Sequence, residues 1–203
     1  MHRFARGDEP IDFKKHVGSP WKDFIGTDDH AKLADALYER QDGYCAYCEI
    51  HLEDQSAGHI EHLERRRDTP QRTFDWTNLF YSCNKSDSCG KHKDDDKKRI
   101  RFNPAAIIDP SEENPLDFFV YTANGRIVAK EGTGQRRAEE TIRVFNLNCS
   151  RLNSIRKNAA MAVSCFLEYV AAEADRAAFM QSVRKQRLHC LSVYESLLEA
   201  GGG

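Results

Sequence analysis

Two pairs of cysteines bracket a polar stretch of the chain and restrict how that stretch can fold. Cys45 and Cys48 are separated by two residues, and Cys83 and Cys89 by five. A Cys-x-x-Cys spacing lets both thiolates face one ion, and four thiolates complete a tetrahedral zinc site. The wider second spacing is less specific, and the alternative is four buried free thiols. We favour a structural zinc, because so polar a stretch offers little apolar core in which to bury four thiols.

Composition limits the compartment and the partners. The chain has 203 residues, 40 % of them apolar, and a net charge of −2, so it can form a core but carries no global nucleic-acid signature. Its seven cysteines are an odd number, and no apolar run typical of a signal peptide opens the sequence. We therefore expect a cytoplasmic protein with metal-bound thiols. No stretch is long enough to span a bilayer, so we expect no membrane partner.

The segment between the cysteine pairs contains groups suited to phosphodiester chemistry. His62 is an imidazole matched to taking a proton from water at neutral pH. Its neighbour Glu61 could bind a divalent ion through oxygen. Neighbours on an ideal strand face opposite sides, so the two share a site only where the strand twists or bulges; otherwise one is structural. Asn78 could ligate the ion, orient the loop that carries His62, or cap a helix.

Basic residues cluster on both sides of these groups. They are candidates for phosphate contacts, with a solvated basic surface as the alternative. The candidates are Arg65, Arg66, Arg67, Arg72, Lys91, Lys93 and the basic residues of 97–101. His92 could bind metal or phosphate, or lie on a solvated turn. The acidic run 94–96 is interpreted as the start of a helix, which acidic residues favour.

Hydrophobic periodicity predicts an α+β protein with three parts. Residues 1–43 form an N-terminal extension with a helix over about 28–41. Residues 44–103 hold the cysteines, a short strand around 59–63 and a helix entered near Asp75. Residues 104–203 hold a hairpin over 117–130, turning at Asn124-Gly125, and a bundle of helices near 134–146, 150–172 and 175–199.

The order of these residues resembles the HNH nuclease family, also called ββα-metal nucleases, over roughly 44–99. The resemblance implies a zinc-braced ββα-metal core and a metal-dependent endonuclease. It assigns His62 as general base, Glu61 as ligand of a catalytic Mg²⁺ or Mn²⁺, and the central asparagine to Asn78. The family's last ligand normally follows the last cysteine, where this chain has Gly90, so His92 is our substitute for it.

Further motifs are similar to the PtuB subgroup of that family, the HNH component of Septu and retron antiphage systems. They are Arg6 with Pro10, and segments 41–49, 60–62, 75–83 and 89–93. This similarity implies antiviral defence with a PtuA-like ATPase partner, and we expect DNA rather than RNA as substrate. The C-terminal helices should dock on the ATPase or on a second copy of the chain, leaving an apolar patch exposed in the isolated chain.

The rival interpretation is a zinc-ribbon module without catalytic activity. Such a module would keep the four cysteines and use its basic loops to hold nucleic acid or protein. A pure zinc module has no need of the Glu61-His62 pair with Asn78, and this constellation is what favours the enzyme.

Overall fold

The computed structural model describes residues 1–169 and 173–200. In this part of the chain, helices combine with two small antiparallel sheets, which confirms the α+β class. The helices are α1 (Trp21–Phe24), α2 (Asp28–Arg40), α3 (Cys89–Lys93), α4 (Gln135–Val144), α5 (Ser150–Tyr169), α6 (Glu173–Lys185) and α7 (Leu191–Ala200). The strands are β1 (Gly58–His62), β2 (Leu79–Cys83), β3 (Phe119–Tyr121) and β4 (Ile127–Ala129).

The first sheet brings the two halves of the polar segment together. Strands β1 and β2 pair antiparallel, with Gly58 opposite Cys83 and His62 opposite Leu79. Helix α2 packs against this sheet. The Gln41 side chain at the end of the helix accepts a hydrogen bond from the Tyr81 amide at 2.8 Å and donates one to the Tyr81 carbonyl at 2.9 Å. Helix α3 follows β2 after a short turn, so the order in this segment is strand, strand, helix.

The predicted helix near Asp75 is wrong. A three-residue 3-10 turn, Trp76–Asn78, leads directly into β2. The Asp75 side chain accepts from the Thr77 amide and fixes this turn. All five residues of β2 are buried, and a short apolar run of this kind fits a buried strand as well as a helix. The acidic run 94–96 also differs from expectation, since Asp94 caps the C-terminal end of α3 instead of starting a helix.

The predicted hairpin is confirmed, with β3 and β4 joined through Asn124-Gly125. Gly125 has φ +84°, and a Cβ there would lie 1.9 Å from the Asn153 carbonyl oxygen of α5. The residue must therefore be glycine, both for its turn and for this close approach. Helices α4 and α5 match the predicted 134–146 and 150–172, of which 170–172 lie outside the described residues.

The predicted helix 175–199 is two helices, α6 and α7. The chain breaks between them at residues 186–190, where Arg187 and Cys190 adopt positive φ. The Cys190 amide donates to the Glu49 carbonyl at 2.8 Å, and the Cys190 thiol contacts the carbonyl of Cys48, 142 residues earlier in the sequence. These contacts with the first cysteine turn hold the break in place. A contact that distant in sequence cannot be read from local periodicity.

The core is continuous across the three predicted parts. Phe24, Leu37, Tyr47, Phe145 and Leu198 all belong to one cluster of buried side chains. The rings of Tyr47 and Phe145 stack with centroids 3.8 Å apart, which joins the cysteine segment to the end of α4. Within residues 1–169 and 173–200, no helix is both long and apolar enough to cross a membrane.

Candidate metal and catalytic site

The two predicted cysteine pairs come together at the end of the first sheet. The sulfur atoms of Cys45, Cys48, Cys83 and Cys89 are buried and lie within 4.8 Å of one another. The Sγ atoms of Cys48 and Cys83 are 3.9 Å apart. Zn–S bonds of about 2.3 Å in a tetrahedron separate sulfurs by about 3.8 Å. The cluster could therefore hold a metal ion such as zinc.

The electrostatics of the four thiols also suit a cation. Burial opposes ionisation of Cys45, but hydrogen bonds from the other three thiols outweigh burial and lower its pKa. Burial raises the pKa of Cys89 well above its usual range. Several thiolates cannot share so buried a space unless a positive ion compensates their charge. This donor set fits zinc, which would hold β2, α3 and the 45–48 turn together.

A cavity of about 280 Å³ lies on the β1–α3 surface and contains both members of the predicted acid–histidine pair. Its lining includes Trp21, His59, Glu61, His62, Arg66, Arg67, Gly90 and Lys91. Glu61 faces α3, whereas His62 is the last residue of β1 and lies against Trp21, with ring centroids 4.5 Å apart. The strand ends at His62, so strand alternation does not keep the two side chains out of a common cavity.

Glu61 is a buried carboxylate held from two sides. Lys93 Nζ lies 2.9 Å from its Oε1, and His59 Nε2 lies 3.2 Å from its Oε2. Burial alone would raise the pKa of this carboxyl, but Lys93 and His59 outweigh it and lower the pKa to about 2. A Cβ on residue 90 would lie 2.3 Å from Oε2, so Gly90 makes room for the carboxylate. Glu61 is therefore ionised at neutral pH.

His62 is oriented by the backbone. Its Nε2 donates to the Thr73 carbonyl at 3.0 Å, which leaves Nδ1 as the proton-accepting nitrogen of the neutral ring. Burial lowers the pKa of His62 to about 4, so the ring is neutral at pH 7. A neutral imidazole fixed through one nitrogen can accept a proton at the other, as a general base requires.

Asn78 lies under the loop and not in the cavity. Its Oδ1 accepts from the Glu64 amide at 2.7 Å, and its Nδ2 donates to the carbonyls of Glu64 and Arg72 at 3.1 and 3.0 Å. The side chain is buried and is not part of the cavity lining. The geometry therefore supports the alternative in which Asn78 orients the loop after His62, and corrects its assignment as a metal ligand.

His92 is also separated from the other candidate ligands. Its Nδ1 donates to the Val144 carbonyl of α4 at 3.0 Å, and its side chain does not line the cavity. The histidine that does lie beside Glu61 is His59. Sequence reasoning missed this pairing although the signal was present, because residues two apart on a strand share a face.

The predicted phosphate-binding residues divide into two groups. Arg66, Arg67 and Lys91 are exposed and line the cavity, and Arg67 also forms surface ion pairs with Asp68 and Asp96. Arg65 and Lys93 are buried, and Arg65 donates to Asp94 at 2.9 Å and to the carbonyls of Ile100 and Lys93. The assignment of these two to phosphate is corrected, because their charges are already used inside the protein.

Arg72 belongs with the structural group. Its guanidinium pairs with Glu64 and Asp75 and donates to the Thr77 hydroxyl at 2.7 Å. All of its partners lie on the 64–78 loop or turn, so Arg72 braces that loop and is not free for a phosphate.

Comparison of the sequence with models of known protein families gave no match, and comparison with curated proteins gave none either.

Proposed function

We propose that this chain is a metal-dependent endonuclease of the HNH type, hydrolysing nucleic-acid phosphodiester bonds. One observation carries the proposal: an ionised carboxylate and a neutral, backbone-oriented histidine line the same cavity, with three exposed cations at its rim. A carboxylate that can hold a metal ion, a proton acceptor and groups that bind phosphate are together what phosphodiester hydrolysis needs. The adjacent four-thiol cluster would fix the two strands and α3 that carry them.

The division of labour follows from the chemistry of each group. His62 Nδ1 would take a proton from water as that water attacks phosphorus. The P–O bond to the 3′ oxygen would break, and that leaving oxygen would take up a proton from solvent. Glu61 would hold a divalent ion, Mg²⁺ or Mn²⁺, which stabilises the charge that develops on the phosphate oxygens. Arg66, Arg67 and Lys91 would orient the phosphates of the substrate at the rim, because their charges reach solvent.

The sequence resemblance supports a wider role, antiviral defence with a PtuA-like ATPase. The fold qualifies the expectation of an apolar docking patch on the C-terminal helices. Among described residues, the exposed large apolar side chains are few: Val17, Ile25, Met161 and the cross-strand pair Val120 and Val128. Met161 alone of these lies on α4–α7. Docking of these helices on the ATPase, or on a second copy of the chain, stays a prediction.

One observation favours the rival, a zinc-ribbon module without catalysis. Lys93 already neutralises Glu61 inside the protein, at 2.9 Å, so this carboxylate could serve structure alone. The rival predicts nucleic-acid binding without cleavage, whereas the proposed enzyme needs a proton acceptor at His62.

Nicking assays with Mg²⁺ or Mn²⁺ on plasmid DNA and on RNA distinguish the two. We expect cleavage by the unaltered chain and a loss of about 10²–10⁴-fold in His62→Ala, the usual contribution of a general base. His92→Ala is the matched control, because it removes a histidine outside the cavity, and it should retain activity. No metal-dependent cleavage of either substrate, or full activity in His62→Ala, would contradict the proposal.

A further inference from the structure

The position directly after the last cysteine, where the resemblance places the last metal ligand, is Gly90 in this chain and offers no ligand. A carboxylate alone is a weak site for a divalent ion, which binds through a few protein ligands plus water and substrate oxygens. The other carboxylates that line the cavity, Asp94 and Asp96, are paired with basic side chains. The remaining side chain with metal-ligating chemistry on the same face of β1 as Glu61 is His59. It pairs with Ser82 across the sheet and lies two residues before Glu61.

The distance between the two side chains matches a shared ion. His59 Nε2 lies 3.2 Å from Glu61 Oε2. Neighbouring ligands at about 2.1 Å from an octahedral ion are about 3 Å apart. The other carboxylate oxygen, Oε1, lies 2.9 Å from Lys93 Nζ and is ion-paired with it, although the two do not form a hydrogen bond. Glu61 is thus arranged to offer one oxygen, on the side where His59 lies.

The hydrogen bonds of the three nearby histidines separate their roles. One ring nitrogen of His62 and one of His92 are committed to backbone carbonyls. His59 has no such commitment. Its Nδ1 is buried, yet no group in residues 1–169 and 173–200 forms a hydrogen bond with it. The ring is therefore held only by Glu61 and is the one able to adjust toward an ion.

We propose that His59 Nε2 and Glu61 Oε2 together bind one divalent cation, with water and phosphate oxygens completing its coordination. The phosphate part rests on the proposed function, whereas the cation site does not. Imidazole nitrogen suits transition metals, and carboxylate oxygen suits Mg²⁺, Ca²⁺ and Mn²⁺. A mixed pair selects a cation that accepts both, so this site prefers Mn²⁺ to Mg²⁺.

Mn²⁺ binding to the zinc-loaded full chain tests the proposal directly, by loss of the free-ion electron paramagnetic resonance signal. We expect one Mn²⁺ per chain, weakened at least about tenfold in His59→Ala, since even residues that only support metal ligands contribute about 10–100-fold. His59→Asp should recover part of the affinity by supplying an oxygen ligand. His92→Ala should bind as the unaltered chain does, and Mg²⁺ should compete poorly.

Zinc content and circular dichroism verify that each variant folds, and His59→Gln replaces the alanine variant if that one does not. The proposal is overturned if the unaltered chain binds no Mn²⁺, if removing His59 leaves the affinity unchanged, or if His92→Ala weakens it equally. Nuclease assays of the same samples separate the two conclusions. Binding of Mn²⁺ that depends on His59, without any cleavage, supports the cation site and rejects the endonuclease. Cleavage together with unaltered Mn²⁺ affinity in the His59 variants supports the endonuclease and rejects the cation site.

Discussion

At the scale of single residues, Glu61 and Gly90 form one unit. The carboxylate of Glu61 lies so close to residue 90 that it occupies the space a Cβ would need there. Lys93 and His59 fix the carboxylate there, so it cannot easily move aside. The absence of a side chain at Gly90 leaves the space that the Glu61 carboxylate occupies.

Gly90→Ala should therefore destabilise the fold by about 1–3 kcal/mol, the range for overpacking a tight site. Its Cβ would lie 2.3 Å from Glu61 Oε2. Glu61→Asp shortens the acid by one methylene, so the double variant should recover part of the loss. Urea unfolding of the two single variants and the double variant measures this coupling. Strict additivity of the two changes would contradict the steric account.

The residues that sequence could identify are those whose chemistry is informative without a partner. The four cysteines, Glu61 and His62 were all predicted, and the structure brings the thiols into one cluster and the other two into one cavity. The choice between His59 and His92 could not be made in the same way. It depends on which face of α3 turns toward β1. In the structure the face that carries His92 turns toward α4, where the ring donates a hydrogen bond to the Val144 carbonyl.

At the scale of elements, the loop between β1 and β2 has an inner and an outer set of arginines. Arg65 and Arg72 bind carbonyls and carboxylates of the protein, whereas Arg66 and Arg67 reach solvent at the cavity rim, where Arg67 pairs with the exposed carboxylates of Asp68 and Asp96. The sequence shows four similar residues on this loop. Only the fold separates them, because burial depends on where the loop crosses the segment after α3.

The double variant Arg66→Ala, Lys91→Ala should weaken nucleic-acid binding and lower the salt dependence of affinity by about two ions, one for each phosphate that the variant no longer neutralises. Fluorescence anisotropy at several salt concentrations measures this, in a His62→Ala background that prevents cleavage. Arg126→Ala removes an exposed cation from the hairpin turn and is the control. Equal effects of both changes would indicate nonspecific charge attraction.

Element types were predicted where local signals act alone, as in α2 and the Asn-Gly hairpin. They were wrong where a distant contact decides. The apolar run of β2 became a strand because β1 pairs with it, and the last predicted helix breaks because the Cys190 amide bonds to Glu49. Neither partner is close enough in sequence to appear in a periodicity window.

At the scale of the whole molecule, the thiol cluster is connected to the C-terminal helices. The Cys89 amide donates to the Phe145 carbonyl at 2.8 Å, and Ser192 on α7 donates through its amide to Glu49 at 2.8 Å. A loss of order at the cysteines would remove partners from α7 and from the end of α4. The three predicted parts therefore depend on one another for stability.

Removing by chelation a zinc ion held by the four cysteines should unfold the chain in one cooperative step. Structural zinc contributes about 10–16 kcal/mol in small zinc proteins, as much as a typical domain's entire stability. Circular dichroism and hydrogen exchange of α5 should change together. Cys48→Ser should reproduce the effect, whereas Cys165→Ser, at an exposed position of α5, should not. Protection of α5 that survives chelation would show that the helices are independent.

The hydrogen bonds from Ser192 to Glu49 also determine when, during translation, the cysteine turn can first reach its final structure. The two residues are 143 positions apart, and the amide and hydroxyl of Ser192 both donate to the buried Glu49 carboxylate. Until α7 leaves the ribosome, that carboxylate lacks these donors, and burying it is costly. Contacts of such long range slow folding. The cysteine turn can thus reach its final packing only after α7 has been synthesised, so a product truncated before Ser192 would not carry the finished site.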